Sequence, residues 1–151
     1  MDADSSRPGG CRCGRVRFTV TGAPLVTMAC HCDGCRRMTA SAYSVSGLYP
    51  AGAFRITQGE TVLGGLKGDL QHHFCGFCLS WMFTAGSLLG DLVNVRITLL
   101  DDPLPEPPFI ECWTEAALPW ARTGASRRFA RFPDPAEFPS LIAAYAGRQA
   151  P

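Results

Sequence analysis

Seven of the eight cysteines fall into three short groups whose spacing is typical of metal ligands. The groups are Cys11-x-Cys13, Cys30-x-Cys32-x-x-Cys35 and Cys75-x-x-Cys78, and Cys112 stands apart. Cysteines so close along the chain are poor disulfide partners, because a bridge needs a Cα separation of about 5.5 Å and specific torsion angles. A tetrahedral zinc ion accepts them readily. The pattern therefore predicts metal sites.

The knuckle from Cys75 to Cys78 supplies half of a closed four-coordinate site, and Gly76 relaxes its turn. The other half comes either from Cys11 and Cys13, which lie among glycines, or from two of the three central cysteines. The first choice leaves a self-contained three-cysteine set, namely Cys30, Cys32 and Cys35. Three protein ligands with a vacant fourth position are typical of a catalytic zinc.

Other outcomes are open for the three-cysteine set. His31 or Cys112 could complete a second closed site, or the three thiols could bind nothing. His31 lies between two of the cysteines, and in an extended segment its side chain points away from theirs. We therefore do not count His31 among the ligands.

Two arginines, Arg36 and Arg37, follow the three-cysteine set directly. A planar guanidinium group binds carboxylates in a bidentate way, so either arginine could orient a substrate that carries one. Either could equally balance the charge of zinc-bound thiolates. Both roles are open at the level of sequence.

Short strands joined by glycine- and proline-rich turns must position these groups. Polar and apolar residues alternate from Val16 to Thr21, which is the pattern of a half-buried strand. Further strand-like runs are AFRIT and ETVLGG, separated by a Gln-Gly turn, and QHHFC, LVNVRITLL and FIECWTEA. The sequence predicts a mainly β fold with few short helices.

Helix signals occur in two places. One turn is predicted after Arg36, and a short helical extension is predicted over 134–151. The segment Asp134–Glu137 resembles a capping box with proline in the first helical position. Pro139 limits that segment, so we expect a second short helix that closes at Gly147.

Length and charge restrict the class of protein. A chain of 151 residues has the size of one domain, so we treat 1–151 as a single domain with a flexible tail at 1–8. No apolar signal segment follows the first residues, and no window has the roughly 18 to 20 apolar residues of a membrane span. A net charge of +1 offers no basic surface for nucleic acid. We expect a soluble, cytoplasmic protein without nucleic-acid or membrane partners.

Several stretches between Gly9 and about Pro133 occur together in a known family. They are GGCRCGRVRF, CHCDGCRRMTAS, FRITQGE, HFCGFC, VRITLLDDP, LPW and RFARFP. In order and approximate spacing they resemble the glutathione-dependent formaldehyde-activating enzyme family, which also includes centromere-protein-V-like proteins. The resemblance implies an Mss4-like fold of small, coiled antiparallel β-sheets held by zinc.

The resemblance also implies two zinc ions per chain. The residues that match the structural ligands form a four-cysteine set, namely Cys11, Cys13, Cys75 and Cys78. The three-cysteine set matches the ligands of a second, catalytic zinc. The implied activity resembles that of S-(hydroxymethyl)glutathione synthase, a carbon–sulfur lyase in which an activated thiolate adds to an aldehyde. The implied partners are glutathione or a similar small thiol together with an aldehyde such as formaldehyde.

The sequence departs from the family pattern in three places. Leu79 and Trp81 stand where less bulk is expected, which makes Trp81 a candidate substrate contact beside Arg36 and Arg37. Ala40 stands where the family usually has glycine, and VRITLLDDP lacks a usual glycine. Two alternatives to formaldehyde activation follow. One is a diverged enzyme with a bulkier substrate, and the other is a zinc-stabilised binding or scaffold module without turnover.

Overall fold

Short β-strands dominate the regular structure of this protein. The structure is a computed structural model and describes residues 4–149. Within that range the strands are β1 (Ser6–Gly10), β2 (Arg17–Thr21), β3 (Val26–Cys30), β4 (Ser44–Pro50), β5 (Phe54–Gln58), β6 (Thr61–Gly64), β7 (Gln71–Cys75), β8 (Trp81–Ala85), β9 (Leu92–Val95), β10 (Ile110–Cys112) and β11 (Arg127–Arg128). The α-helices are α1 (Asp33–Thr39) and α2 (Phe138–Gln149), and 3-10 helices cover Ala51–Ala53, Ile97–Leu99, Thr114–Ala116 and Pro135–Glu137. The predicted mainly β fold is confirmed.

Internal contacts divide the described residues into two units. The first unit comprises residues 4–24 and 48–104, and the second comprises residues 25–47 and 105–149. Across these ranges every helix is too short or too polar to cross a lipid bilayer. The single-domain organisation of residues 1–151 stays a prediction.

An antiparallel three-stranded sheet, in the order β1-β2-β5, belongs to the first unit. Phe18 and Val20 of β2 are fully buried, whereas Thr19 between them is partly exposed, as the alternation predicts. Gly9 of β1 lies opposite Phe18, and a Cβ there would come within 2.6 Å of that ring. Strand β1 also includes residues 6–8, for which the sequence predicts a flexible tail.

Strands β6 to β9 form an antiparallel meander in the first unit. Trp81 and Phe83 of β8 are buried in it. Strands β5 and β6 belong to different sheets, so the Gln58-Gly59 turn joins two sheets and does not close a hairpin. Gly59 has a φ of 75°, and a Cβ there would overlap the carbonyl of Arg15, which explains why this turn contains glycine.

Parallel pairing is found in the second unit. Strand β10 pairs in parallel with β3 and with β11, and the register places Cys112 beside Cys30. Met28 of β3 and Ile110 of β10 are buried, and α2 packs against β3. Strand β3 ends at Cys30, so this core fixes the position at which the three-cysteine set begins.

The predicted first segment is the 3-10 helix Pro135–Glu137, which has the predicted capping box at Asp134, and α2 follows it directly. Helix α2 begins at Phe138, includes Pro139 and continues past the predicted end at Gly147 to Gln149. Pro139 is tolerated because it is the second residue of α2, where the backbone N–H has no partner within an α-helix. Gly147 lowers helix propensity without adopting the left-handed conformation that would end the helix.

Candidate metal centres

The first candidate centre is the four-cysteine set in the first unit. Its Sγ atoms all lie within 4.8 Å of one another. The Sγ–Sγ distance is 3.5 Å from Cys11 to Cys13 and 3.8 Å from Cys13 to Cys75. The structure thus brings Cys11 and Cys13 to the knuckle, which is the first of the two partners that the spacing left open. Four cysteine sulfurs at this separation could together hold one metal ion.

A tight turn between β1 and β2 positions Cys11 and Cys13. The backbone N–H of Cys11 donates to the carbonyl of Val16 at 3.0 Å, and the N–H of Gly14 donates to the carbonyl of Cys11 at 3.1 Å. Gly14 has a φ of 79°, a conformation that glycine adopts without strain. The N–H of Val16 also donates to Cys11 Sγ at 3.3 Å, which points that sulfur toward the turn.

The knuckle is a second tight turn, which follows β7. The N–H of Leu79 donates to the carbonyl of Cys75, and the N–H of Cys75 donates to the carbonyl of Ser80, both at 3.0 Å. Leu79 has a left-handed φ of 58°, and its side chain is 66% exposed. The extra bulk at Leu79 therefore points into solvent. Ser80 Oγ lies 3.2 Å from Cys78 Sγ, and this hydrogen bond is the largest of the effects that together lower the pKa of Cys78 to about 5.

The second candidate centre is the three-cysteine set in the second unit. The Sγ atoms of Cys30, Cys32 and Cys35 lie within 4.8 Å of one another. Cys30 ends β3, Cys32 precedes α1 and Cys35 lies in the first turn of that helix. The N–H of Cys35 donates to Cys32 Sγ at 3.3 Å, so Cys32 caps α1. Because of this cap, α1 starts at Asp33, earlier than the predicted turn after Arg36.

Hydrogen bonding and burial raise the pKa of all three thiols in this set. Hydrogen bonding to Cys30, together with burial, raises the pKa of Cys35. Hydrogen bonding to Cys112 raises the pKa of Cys30, and burial raises the pKa of Cys32. A metal ligand must be a thiolate, so metal binding here would release protons.

Among residues 4–149, no fourth ligand atom lies within 4.8 Å of all three sulfurs. The thiol of Cys112 is fully buried and donates to the carbonyl of Ala29 at 3.5 Å. His31 is also buried, and its Nε2 lies 3.1 Å from Glu111 Oε2. Neither residue therefore supplies an atom within 4.8 Å of all three sulfurs, although the thiol of Cys112 hydrogen-bonds with that of Cys30.

The arginines after the three-cysteine set share one carboxylate. Arg36 Nη2 donates to Asp33 Oδ1 at 3.0 Å, and Arg37 Nε donates to Asp33 Oδ2 at 2.8 Å. The hydrogen bond from Arg37 is the main reason that the pKa of Asp33 is lowered. The side chain of Arg37 is 78% exposed and that of Arg36 is 30% exposed. Arg37 thus keeps its terminal nitrogens accessible to an incoming anion.

The predicted substrate contact Trp81 belongs to the first unit. It starts β8 and is buried. The guanidinium carbon of Arg96 lies 3.5 Å from the ring centroid of Trp81, and the ring of His72 meets it edge-on at 5.4 Å. This is the environment of a core side chain. A role for Trp81 in substrate binding stays a prediction.

Sequence reasoning missed Glu111, whose carboxylate contacts His31 of the three-cysteine segment. Its carboxylate accepts hydrogen bonds from His31 and from Thr123 Oγ1, and it forms an ion pair with Arg128. The sequence feature that could have pointed to Glu111 is the run FIEC, which places a carboxylate between Ile110 and Cys112 in an otherwise apolar strand.

Comparison with known proteins identifies the family. A family model described as glutathione-dependent formaldehyde-activating enzyme matches residues 6–116, which is more than half of the chain. A crystal structure of a Rhodobacter sphaeroides protein matches with a TM-score of 0.54 and 21% identity, over 65% of this chain and 91% of that one. This likeness concerns the fold. None of the curated proteins matches the chain. The chain belongs to the glutathione-dependent formaldehyde-activating enzyme family.

Proposed function

We propose that this protein is a zinc-dependent carbon–sulfur lyase that joins a small thiol to an aldehyde. The observation that carries the proposal is the three-cysteine set, whose sulfurs converge without a fourth ligand among residues 4–149. An open coordination position is what distinguishes a catalytic zinc site from a structural one. Family membership supports glutathione as the thiol and formaldehyde as the aldehyde.

The donor atoms of both sets fit zinc. Thiolates are soft ligands that favour zinc among the common divalent ions, and four of them complete a tetrahedral shell. The four-cysteine set would hold a structural ion. The three-cysteine set would hold an ion with room for one exogenous ligand. Two zinc ions per chain are therefore part of the proposal.

The reaction needs an activated thiol, an aldehyde and one proton transfer. A bound zinc ion would lower the pKa of a thiol at the open position, so that the sulfur reacts as a thiolate. A carbon–sulfur bond forms as the sulfur adds to the aldehyde carbon, and the thiol proton ends on the aldehyde oxygen. The product is a hemithioacetal, and the reverse reaction breaks the same bond.

Arg37 is the residue that we assign to substrate orientation. Asp33 accepts from its Nε, and because the side chain is 78% exposed its guanidinium group is accessible to a carboxylate. Arg36 also binds Asp33 but is mostly buried, so it is better suited to balancing the charge of the thiolates. Glutathione carries two carboxylates, which matches an accessible guanidinium group.

Exchange NMR on glutathione and formaldehyde tests the activity. The intact protein should increase the exchange rate between free glutathione and its hydroxymethyl adduct above that with heat-denatured protein. Arg37→Gln should retain metal and raise KM by about tenfold, because one charged hydrogen bond contributes about 1.5 kcal/mol or more. Arg131→Gln is the matched control, since Arg131 is an exposed arginine paired with Glu115. Exchange no faster than with denatured protein would exclude the proposal and favour a binding or scaffold role.

A further inference from the structure

We propose that Glu111 is a positioning residue that, through His31, holds the three-cysteine set in its metal-binding arrangement. The inference rests on the proposed function, because it assumes that this set binds a metal. His31 contributes no ligand atom to the set, although it lies between two of its members. Its role follows from what its buried side chain contacts.

His31 and Glu111 form a buried polar pair. His31 is 1% exposed and Glu111 is 4% exposed. Their Nε2 and Oε2 atoms are 3.1 Å apart, and since a carboxylate only accepts, Nε2–H is the donor. Breaking such a buried hydrogen bond would leave polar atoms unpaired, at a high cost in free energy. The ring of His31 is therefore held in place by this carboxylate.

Glu111 is itself fixed from two further directions. Thr123 Oγ1 donates to Oε2 at 2.6 Å, and Arg128 Nε lies 2.6 Å from Oε1. Burial alone would raise the pKa of Glu111, but the hydrogen bonds from Thr123 and His31 and the charge of Arg128 outweigh it and lower that pKa. Both carboxylate oxygens are thus engaged, and Glu111 provides a rigid, charged acceptor.

The backbone at His31 is held by the same strand. Parallel pairing places Cys30 beside Cys112, and the N–H of His31 donates to the carbonyl of Cys112 at 3.1 Å. Strand β10 therefore holds residue 31 both by its backbone and, through Glu111, by its side chain. Strand β3 ends at Cys30 and Cys32 caps α1, so fixing His31 between them restricts the backbone that carries both cysteines.

The contact between His31 and Glu111 restricts the backbone segment that carries two of the three cysteines, and the three sulfurs already lie within 4.8 Å of one another. Preorganised ligands lose less conformational entropy when the metal binds. Residues that orient a metal site in this way typically change metal affinity by about 10- to 100-fold when they are replaced.

Cobalt titration of the full chain tests the inference. Thiolate-to-cobalt absorption reports occupancy and geometry, and chelator competition gives the affinity of each of the two centres. Glu111→Leu, which removes the acceptor for His31, should lower the metal affinity of the three-cysteine set by about 10- to 100-fold and alter the absorption bands of the cobalt bound there, while the four-cysteine set keeps its affinity. Thr123→Val, which retains the carboxylate, should lower the same affinity by less. Thr123→Val carries the test if Glu111→Leu fails to fold.

Glu115→Gln is the matched control. Glu115 belongs to the same unit and also accepts from an arginine, Arg131, but it does not contact His31. Glu115→Gln should leave the metal affinities of both centres unchanged. Equal metal affinities of the three-cysteine set in wild type, Glu111→Leu and Thr123→Val would overturn the inference, as would equal weakening of both centres. A wild-type chain that binds a single ion would instead defeat the proposed function itself.

Discussion

At the scale of single residues, neighbouring charges determine which groups ionise. Arg17 donates hydrogen bonds from both terminal nitrogens to the carboxylate of Asp101, one of them at 3.0 Å. This contact is the main reason that the pKa of Asp101 is lowered. It joins β2 to the loop after the 3-10 helix Ile97–Leu99, in the same unit as the four-cysteine set.

The Arg17–Asp101 pair predicts a pH-dependent contribution to stability. Because the folded pKa of Asp101 lies below its unfolded value of about 3.9, the stabilisation is fully present above that value and is lost as pH falls through the folded pKa. Asp101→Asn should therefore lower the free energy of unfolding near neutral pH, and the difference from wild type should shrink in acid. Urea unfolding from about pH 6 to about pH 3 measures it.

Asp102→Asn provides the comparison. The carboxylate of Asp102 is 96% exposed and meets Arg7 only at 3.8 Å. Asp102→Asn should lower the free energy of unfolding near neutral pH by less than Asp101→Asn does, because exposed and distant ion pairs contribute little to stability. If the difference in free energy of unfolding between wild type and Asp101→Asn stays constant down to about pH 3, the Arg17–Asp101 pair is not the source of the stabilisation.

At the scale of elements, short turns and caps determine where chemistry can occur. The four-cysteine set is assembled by two tight turns, each closed by backbone hydrogen bonds. The three-cysteine set instead lies where β3 ends and α1 begins, with Cys32 capping the helix. The 3-10 helix Pro135–Glu137, which leads directly into α2, starts from a reciprocal cap, in which Asp134 Oδ1 accepts from the N–H of Ala136 and Glu137 Oε2 accepts from the N–H of Asp134.

Removal of this cap should destabilise the C-terminal helix. Asp134→Ala deletes the acceptor for the N–H of Ala136, and the expected loss is about 0.5–2 kcal/mol in the free energy of unfolding. Asp134→Asn keeps a good capping side chain and should lose only a few tenths of a kcal/mol. Urea unfolding followed by circular dichroism measures both. If Asp134→Asn is as destabilised as Asp134→Ala, the hydrogen bond is not the cause.

At the scale of the whole molecule, each candidate centre takes its cysteines from a single unit. The four-cysteine set joins two distant parts of the chain, since Cys13 and Cys75 are 62 residues apart. A metal there would close a long loop, and such closure stabilises a fold by restricting the unfolded chain. The three-cysteine set spans only Cys30 to Cys35. A metal there would restrict little of the unfolded chain, so it would contribute little to stability by loop closure.

Local features of this molecule could be predicted from sequence, whereas long-range ones could not. The strand at Val16–Thr21 and the capping box at Asp134 depend on neighbours within a few residues, and both are present. The position of β5 and β6 in different sheets depends on strand pairing, which no local pattern encodes. Glu111 shows the same limit, because His31 is 80 residues away in the chain.

The number of metal ions per chain tests the central claim most directly. Plasma emission spectrometry on purified protein should find two zinc ions in the wild type and one in Cys32→Ser, which should still fold because the four-cysteine set keeps its ion. Cys112→Ala is the matched control and should keep two ions, because Cys112 lies outside the three-cysteine set.

A single zinc ion in the wild type would contradict the account. So would the loss of an ion from Cys112→Ala, because Cys112 would then complete a closed site and leave no position for substrate.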